Sequence, residues 1–204
     1  MSETEKISPL MIFSWLILVV TLVAILAVIN HLTRDRIAEN RHLATRKILQ
    51  QIIPGEHNND VFADTLIRNE PNYLGSDHPV TVIRSRKDSL PLGVVIYPVI
   101  AEGYKGPIEL AIGINLQGQL SGVRVLQENE TEGLGAQIHQ NKSDWILSFT
   151  GLSFKTVPPE QWDVRSENGY FDQISGATIT SRSVINAVKN TLNYHELTGE
   201  TLYK

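Results

Sequence analysis

The strongest pattern in the chain is an uninterrupted apolar run close to its N-terminus. Residues 10–29 read LMIFSWLILVVTLVAILAVI and carry no charge, with only Ser14 and Thr21 as hydroxyl interruptions. At a rise of about 1.5 Å per residue, such a helix crosses the roughly 30 Å hydrocarbon core of a bilayer. A cleaved signal peptide would have a shorter apolar region and a small-residue cleavage site, whereas residues 30–33 read NHLT. We therefore predict one uncleaved transmembrane helix over residues 10–32.

A second helical pattern follows this run. Between residues 33 and 53 the apolar positions recur near a 3.6-residue period with charges between them, at Ile37, Leu43 or Ala44, Ile48 and Ile52. Pro54 and Gly55 then end the pattern, which indicates a stalk helix. The predicted division of the chain is an N-terminal tail, the transmembrane helix, the stalk helix and one globular domain, over residues 1–9, 10–32, 33–55 and 56–204.

The globular part begins with an irregular polar segment and continues with strand patterns. Residues 57–79 are polar and predict at most one short helix, near residues 61–67. From Val80 onward four runs are rich in Val and Ile, alternate partly, and are separated by Gly-containing turns; they read VTVIRS, LGVVIYPVIA, IELAIGIN and LSGVRVLQ. Because no long crossover joins these runs, they predict an antiparallel meander.

The last third of the chain predicts short elements and one long helix. Residues 133–140 are expected to begin a short helix, and residues 145–149 form a short apolar element. Over residues 181–196 the apolar side chains of Val184, Val188 and Leu192 share one helical face. The fold class is therefore α+β, with an N-terminal transmembrane helix and stalk helix, then a mainly antiparallel sheet packed with a C-terminal helix.

Composition excludes several kinds of chemistry. The 18 basic and 22 acidic side chains give a net charge of -4 without a basic block, which argues against a nucleic-acid surface. The absence of cysteine excludes disulfides and thiolate-bound metal centres. The histidines lack metal-ligand spacing, and no dinucleotide motif, Walker motif or nucleophile-base-acid set is recognisable. We therefore assign no metal and no catalytic residue, and a redox role would need an organic cofactor or a partner.

The most informative segment lies directly before the C-terminal helix. Residues 172–180 read DQISGATIT, so small and hydroxyl residues lead into a helix N-terminus, where unpaired N–H groups favour a phosphate. Gly176 and Ala177 leave room for a bulky group on the neighbouring hydroxyl. An ordinary helix cap explains the hydroxyl residues equally, and it would use Thr180, Ser181 or Ser183.

This segment resembles the flavinylation motif, in which an Asp stands two residues before Ser-Gly-Ala-Thr. At that motif a flavin transferase, with FAD as donor, attaches FMN to the Thr through a phosphoester bond. The resemblance implies Thr178 as the acceptor and Thr180 as the nearby alternative hydroxyl. It also implies recognition positions at Asp172, Ser175, Gly176 and Ala177.

Two further stretches carry the same resemblance. Residues 103–108 read GYKGPI and residues 130–135 read ETEGLG, with a strand pair between them. With the helical anchor and the late Ser-Gly-Ala-Thr, this order is similar to the FMN-binding G subunit of the Rnf electron-transport complex, also called Rsx. The C subunit of sodium-translocating NADH:quinone reductase shares the pattern. Glu132 stands where members of the family often have Pro, which affects the stiffness of the loop.

The resemblance implies that the second stretch lies against the isoalloxazine ring, because its glycines allow the ring to approach the backbone. A tight turn that enters a short helix explains the same glycines. The aromatic side chains of Tyr104, Trp145 and Tyr170 are either ring neighbours or core residues. Outside the acceptor motif the residues assigned to cofactor binding are Glu132, Gly133, Leu134, Gly135 and Tyr104.

The resemblance implies an electron-transfer subunit that carries covalent FMN and relays electrons between partner subunits, without a complete active site of its own. The flavin transferase is then a maturation partner. A membrane-tethered sensory or ligand-binding domain, with a phosphate compound bound non-covalently, is an alternative from another class. The quinone-reductase paralogue is a third possibility with the same chemistry.

Two arguments disagree on how the chain crosses the membrane. Basic residues are more frequent after the apolar run than before it, which by the positive-inside rule places the domain in the cytoplasm: Lys6 precedes the run, and Arg34, Arg36, Arg41, Arg46 and Lys47 follow it. The rule weakens when a long domain follows. The resemblance implies a single-pass protein of the bacterial inner membrane with a periplasmic flavin domain, and we adopt that orientation as the prediction.

Overall fold

A computed structural model describes residues 9–203. The chain divides into two compact units between Arg46 and Lys47. The predicted N-terminal tail lies, apart from its last residue, outside the described residues. The second unit therefore begins within the segment predicted as the stalk, and the predicted division of the chain stays a prediction.

Helix α1, Pro9–Gln50, contains the apolar run and continues past it without interruption. Over Leu10–Gln50 it has the length and composition of one membrane span. The two hydroxyls within the run are satisfied inside the helix, because Ser14 Oγ donates to the Met11 carbonyl at 2.8 Å and Thr21 Oγ1 to the Ile17 carbonyl at 2.8 Å. An apolar helix without unpaired side-chain groups is suited to a bilayer.

The sheet of the second unit is a five-stranded antiparallel meander in the order β1-β2-β3-β4-β5. Its strands are Thr65–Arg68, Val80–Lys87, Leu90–Glu102, Pro107–Asn115 and Leu120–Gln127. The four predicted strands and the α+β class are confirmed. The helix predicted near residues 61–67 is wrong, because residues 65–68 form the edge strand β1, which pairs with Val80–Ile83 of β2. Its exposure alternates along only four residues, which is too short to be distinguished from a helix by pattern.

One face of the sheet packs against helix α3, Thr178–Leu202, which lies mainly on β3 and β4. The helix extends beyond the predicted residues 181–196 at both ends, and Leu202 is fully buried near its C-terminus. Short 3₁₀ helices complete this layer at Gly135–Ile138, Trp145–Phe149, Pro159–Gln161 and Arg165–Glu167, and α2 is Pro71–Leu74. A buried aromatic group of Phe149, Trp162 and Phe171 fills the space beside α3, with the Phe149 and Phe171 ring centroids 4.7 Å apart.

The other face of the sheet carries a smaller core formed with the first residues of the second unit. Leu49 and Ile52 are buried there against side chains of three strands, Ile83, Val95 and Ala111. The Ser121 hydroxyl donates to the Ile52 carbonyl at 2.5 Å. Gly113 is needed at this point, because a β-carbon there would collide with the Ile52 carbonyl.

A buried histidine lies near the end of α3. His195 is 6% exposed, its Nε2 lies 2.6 Å from the Tyr203 hydroxyl, and its Nδ1 has no hydrogen-bond partner among the described residues. Burial raises the pKa of Tyr203 to about 12, so the hydroxyl stays protonated and can donate to Nε2. Burial also lowers the pKa of His195, so the folded state holds this ring neutral at neutral pH.

We expect this histidine to make the folded domain less stable in mild acid. The unfolded chain takes up the proton near pH 6.5, while the folded chain does so only at lower pH. The stability that comes from neutral His195 is therefore complete above about pH 6.5 and decreases as the pH falls toward the folded pKa. Thermal unfolding of the full chain in detergent, followed by tryptophan fluorescence between about pH 7.5 and 5.5, should show a steeper decline for wild type than for His195→Gln. Parallel profiles would contradict the assignment.

Candidate functional site

A cavity of about 430 Å³ opens where three separate segments meet. The segments are the loop between β3 and β4, the loop after β5, and the N-terminus of α3. The lining residues are Tyr104, Glu130, Thr131, Leu134, Gly135 and the run Gly176, Ala177, Thr178, Ile179 and Thr180. The fold thus brings the acceptor motif together with both stretches that the sequence marked as related to it.

Several residues assigned from the sequence lie outside this lining. Asp172, Ser175, Glu132 and Gly133 are exposed beside the cavity. Asp172 forms an ion pair with Arg165 at 3.1 Å, and Glu132 forms one with Lys142 at 2.8 Å. Trp145 and Tyr170 are not part of the lining either; Trp145 Nε1 donates to the Asp172 carbonyl at 2.6 Å, and both rings pack on the aromatic core.

Helix α3 begins at Thr178, and its N-terminus is open. The N-cap residue is Ala177, which has no side chain able to cap the helix. The N–H groups of Thr178, Ile179 and Thr180 have no hydrogen-bond acceptor among residues 9–203. These groups and the helix dipole therefore provide positive potential at the rim of the cavity, where an anion would be stabilised.

The three hydroxyls that the sequence indicated as possible helix caps donate hydrogen bonds to other groups. The Thr180 hydroxyl donates to Glu130 at 2.7 Å, and the Ser181 hydroxyl donates to the Ala177 carbonyl at 3.0 Å. The Ser183 hydroxyl donates to the Glu102 carbonyl at 2.6 Å. The interpretation of the motif as an ordinary side-chain cap is therefore wrong. For Thr180 and Ser183 the reason is tertiary, because only the folded chain brings their acceptors near them, whereas Ser181 donates to a carbonyl four residues earlier in the chain.

Glu130 was not singled out from the sequence, yet it holds the three segments together. Its side chain is buried, with 9% of the residue exposed. Oε1 accepts the Lys105 N–H at 2.9 Å, and Oε2 accepts the Thr180 hydroxyl at 2.7 Å. A β-carbon at Gly103 or Gly135 would collide with these carboxylate oxygens, so the glycines on both loops are required for its approach. The signal in the sequence was its place as the first residue of the ETEGLG stretch, although only the residues from Glu132 onward were assigned to cofactor binding.

Gly176 shapes the opposite wall of the cavity. Its φ of +74° lies in the left-handed region, which other residues adopt only with strain. A β-carbon at this position would lie 3.0 Å from Leu134 Cδ2. The glycine therefore provides the turn into α3 and leaves space for Leu134, whose side chain remains 43% exposed at the cavity mouth.

Behind the cavity, Glu128 continues the polar network. It accepts the N–H of Glu130, and its Oε1 lies 3.2 Å from His139 Nε2. Burial lowers the pKa of His139, although neighbouring Glu128 acts in the opposite direction. Glu128, in the loop between β5 and the first 3₁₀ helix, thus contacts both Glu130 within that loop and His139 after that helix.

Comparison with known proteins identifies the family. Residues 103–193 match the FMN-binding domain family. A Shewanella amazonensis protein, named as the G subunit of an ion-translocating oxidoreductase complex, is 39% identical over 170 residues, which are 83% of this chain and 79% of that protein. Proteins of the same name from Shewanella loihica and Pectobacterium atrosepticum are 37% and 38% identical, over 88% and 84% of this chain and 85% and 82% of theirs. The chain belongs to this G-subunit family.

Membership in the G-subunit family confirms the resemblance that the motifs indicated. The matched residues 103–193 include all three segments that line the cavity. They also include Glu130 and the two residues that donate hydrogen bonds to its side chain, Lys105 and Thr180. The cavity therefore lies within the part of the chain that matches the FMN-binding domain family.

Thr178 also borders a second groove on the outer side of α3. The groove measures about 350 Å³ and is lined by Glu102, Thr178, Ile179, Arg182, Ser183 and Asn186. Arg182 is held there by Glu167 at 2.8 Å and Asp163 at 3.0 Å, and hydrogen bonds to these two acids raise the pKa of its guanidinium. Thr178 is half-buried and lines both the cavity and the groove.

Removal of the Glu130 carboxylate should destabilise the domain. Glu130→Ala leaves the Lys105 N–H and the Thr180 hydroxyl without their acceptor, and the buried Thr180 hydroxyl alone costs about 1–3 kcal/mol. Glu132→Ala, two residues away, removes only an exposed ion pair and should change stability by less than about 0.5 kcal/mol. Denaturant unfolding of the full chain in detergent measures both. Equal effects of the two substitutions would contradict the bracing role of Glu130.

Proposed function

We propose that this chain is an electron-transfer flavoprotein subunit of a membrane-bound Rnf-type complex, with FMN attached by a phosphoester to Thr178. Membership in the G-subunit family, the FMN-binding domain and the apolar helix support the general role. One observation supports attachment at Thr178 in particular. Thr178 is the first residue of α3, and this uncapped helix N-terminus borders the 430 Å³ cavity. The other subunits of the complex are then its redox partners.

The choice of Thr178 over its neighbour rests on exposure and hydrogen bonding. Thr180 is 1% exposed, and its hydroxyl is already donated to Glu130. Thr178 is half-buried, and its hydroxyl forms no hydrogen bond among the described residues. A modifying enzyme therefore meets a free hydroxyl at Thr178 and a buried, engaged hydroxyl at Thr180.

The residues present fit the phosphate and the ring of FMN. A phosphodiester on Thr178 would carry a negative charge beside three unpaired N–H groups and the positive end of the helix dipole, which stabilise it. Leu134, Ile179 and Tyr104 provide apolar surface for a flat aromatic ring, with the backbone at Gly176 accessible. FMN, when bound, supplies one- and two-electron chemistry.

The protein holds the cofactor in place and leaves the attachment position accessible to a modifying enzyme. The ester bond prevents dissociation and keeps the cofactor at a high local concentration near its redox partners. Attachment requires the Thr178 oxygen to form a bond to the FMN phosphate of FAD, while the hydroxyl loses its proton and AMP leaves. The outer groove beside Thr178, together with the exposed side chains of Asp172 and Ser175, leaves this position open to a flavin transferase.

Substitution of the acceptor should abolish the covalent flavin. Protein from native membranes should be heavier by one FMN less one water, and its band should fluoresce in a denaturing gel. Thr178→Val should lose both signals, because no hydroxyl remains to form the ester. Thr180→Val is the matched control and should keep them, although it gives up a buried hydrogen bond.

Intact-mass spectrometry distinguishes the possible results. An unmodified wild-type mass in cells that contain the transferase would refute the covalent attachment. Flavin that is released on denaturation would favour the alternative of a non-covalent ligand-binding domain. A modified mass in Thr178→Val that disappears in Thr180→Val would move the acceptor to Thr180.

The one apolar helix of membrane-spanning length among residues 9–203, together with the family, fits a single-pass protein of the bacterial inner membrane. We further propose that the flavin domain is periplasmic, despite the basic residues that follow the apolar run. The long domain after the helix weakens the influence of those charges. The flavin transferase is expected in the same compartment.

Protease treatment of spheroplasts tests this orientation. A periplasmic domain should be digested while the inner membrane is intact, because its loops are then exposed to the added protease. A cytoplasmic protein of the same cells serves as the control and should survive. Resistance of the domain until the inner membrane is broken would show that the domain is cytoplasmic.

A further inference from the structure

A second cavity of the folded unit, of about 350 Å³, lies away from the flavin site. Its lining comes from the end of α1 and the turn after it, from β5, and from the residues after the first 3₁₀ helix. The lining residues are Ile48, Gln51, Arg124, Val125, His139, Gln140 and Asn141. None of them lines the flavin cavity. A ligand bound in this second cavity would therefore contact a different set of residues from a ligand bound in the flavin cavity.

Arg124 is the permanently charged residue in the lining of this cavity. Its Nε donates to Gln51 Oε1 at 3.0 Å and its Nη1 to the Val123 carbonyl at 2.8 Å. Nη2 has no acceptor among residues 9–203, and no carboxylate of those residues lies within ion-pair distance of the guanidinium. Four other arginines of this unit do pair with acids: Arg84, Arg86, Arg165 and Arg182.

The lack of a carboxylate partner for Arg124 among the described residues has an electrostatic consequence. Burial lowers the pKa of Arg124, and no neighbouring carboxylate among the described residues opposes that effect. The guanidinium is therefore partly removed from water without a counter-charge, an arrangement that costs free energy until an anion binds. Because Nε and Nη1 are already held, the free Nη2 is presented in a fixed direction.

The surroundings favour an oxyanion. The side-chain amides of Gln140 and Asn141 form no hydrogen bonds within the part of the chain that the structure describes and can donate to the same ligand. Ile48 and Val125 supply apolar walls. Oε1 of the nearby Glu128 lies 3.2 Å from His139 Nε2, so this carboxylate contacts another side chain.

We propose that this cavity is a phosphate-binding site, in which Arg124 is the principal ligand and the amides of Gln140 and Asn141 complete the contacts. Guanidinium groups bind phosphate oxygens with strong, directional hydrogen bonds. The phosphate group can come from a free phosphate compound in solution or from the headgroup of an anionic phospholipid.

Titration with inorganic phosphate tests the site on the full chain in a neutral detergent. Binding is measured by calorimetry and by the rise of the unfolding midpoint, with potassium chloride at matched ionic strength as the reference. Wild type should bind saturably, and Arg124→Gln should weaken binding by about tenfold or more. Arg68→Gln is the control, because Arg68 also lacks an ion pair among residues 9–203 and lies outside the cavity.

The results separate the proposal from its alternatives. Saturable binding that Arg124→Gln weakens and Arg68→Gln does not supports the site. No saturable binding by wild type, or an equal response of Arg124→Gln, overturns it. The proposal does not depend on flavin attachment, so Thr178→Val should bind phosphate as wild type does.

Nanodiscs distinguish the two sources of phosphate. In discs of phosphatidylcholine the wild-type chain should respond to inorganic phosphate as in detergent. If the response is lost in discs of phosphatidylglycerol, the lipid headgroup occupies the site. If the response persists there, a free phosphate compound is the ligand. Absence of a response in phosphatidylcholine discs counts against the site.

Discussion

The buried carboxylate of Glu130 is the interaction on which the geometry of the cavity of about 430 Å³ depends. Its two oxygens accept hydrogen bonds from Lys105 and Thr180, which belong to different walls of the cavity, while Glu130 itself belongs to the third. A buried carboxylate is costly unless it is hydrogen-bonded, so the folded state is favoured only when both loops and the helix are in place. The glycines beside it, Gly103 and Gly135, are the steric condition for that arrangement.

Helix α3 combines two tasks that favour different sequences. Its apolar face, with Val184, Ile185 and Val188, is fully buried and attaches the helix to the sheet. Its first turn gives up the stabilisation that a capping side chain would provide, typically about 1 kcal/mol. Burial of one large aliphatic side chain contributes about 1.5–3 kcal/mol, which is enough to offset an uncapped end. The packing of the helix thus permits an N-terminus that remains free for a phosphate.

The proposed flavin site and the proposed phosphate site have two different sources of positive charge. At the first, backbone N–H groups supply a partial charge that needs no side chain and no counter-ion. At the second, Arg124 carries a full charge that the neighbouring strands do not neutralise. The loop from Glu128 to Asn141 runs between the two places and contributes residues to both. Its conformation therefore affects each of them.

The sequence by itself determined the apolar helix, the meander, the C-terminal helix and the acceptor motif, because periodicity and short motifs are local properties of the chain. Strand β1 was mistaken for a helix, since four residues at a sheet edge acquire their conformation from pairing with β2. Only the tertiary structure decided that Glu130 joins the walls of the cavity, that Thr180 is engaged, and that Thr178 is free. Those outcomes depend on contacts between residues as far apart as Glu130 and Thr180, and local pattern carries no information about such distances.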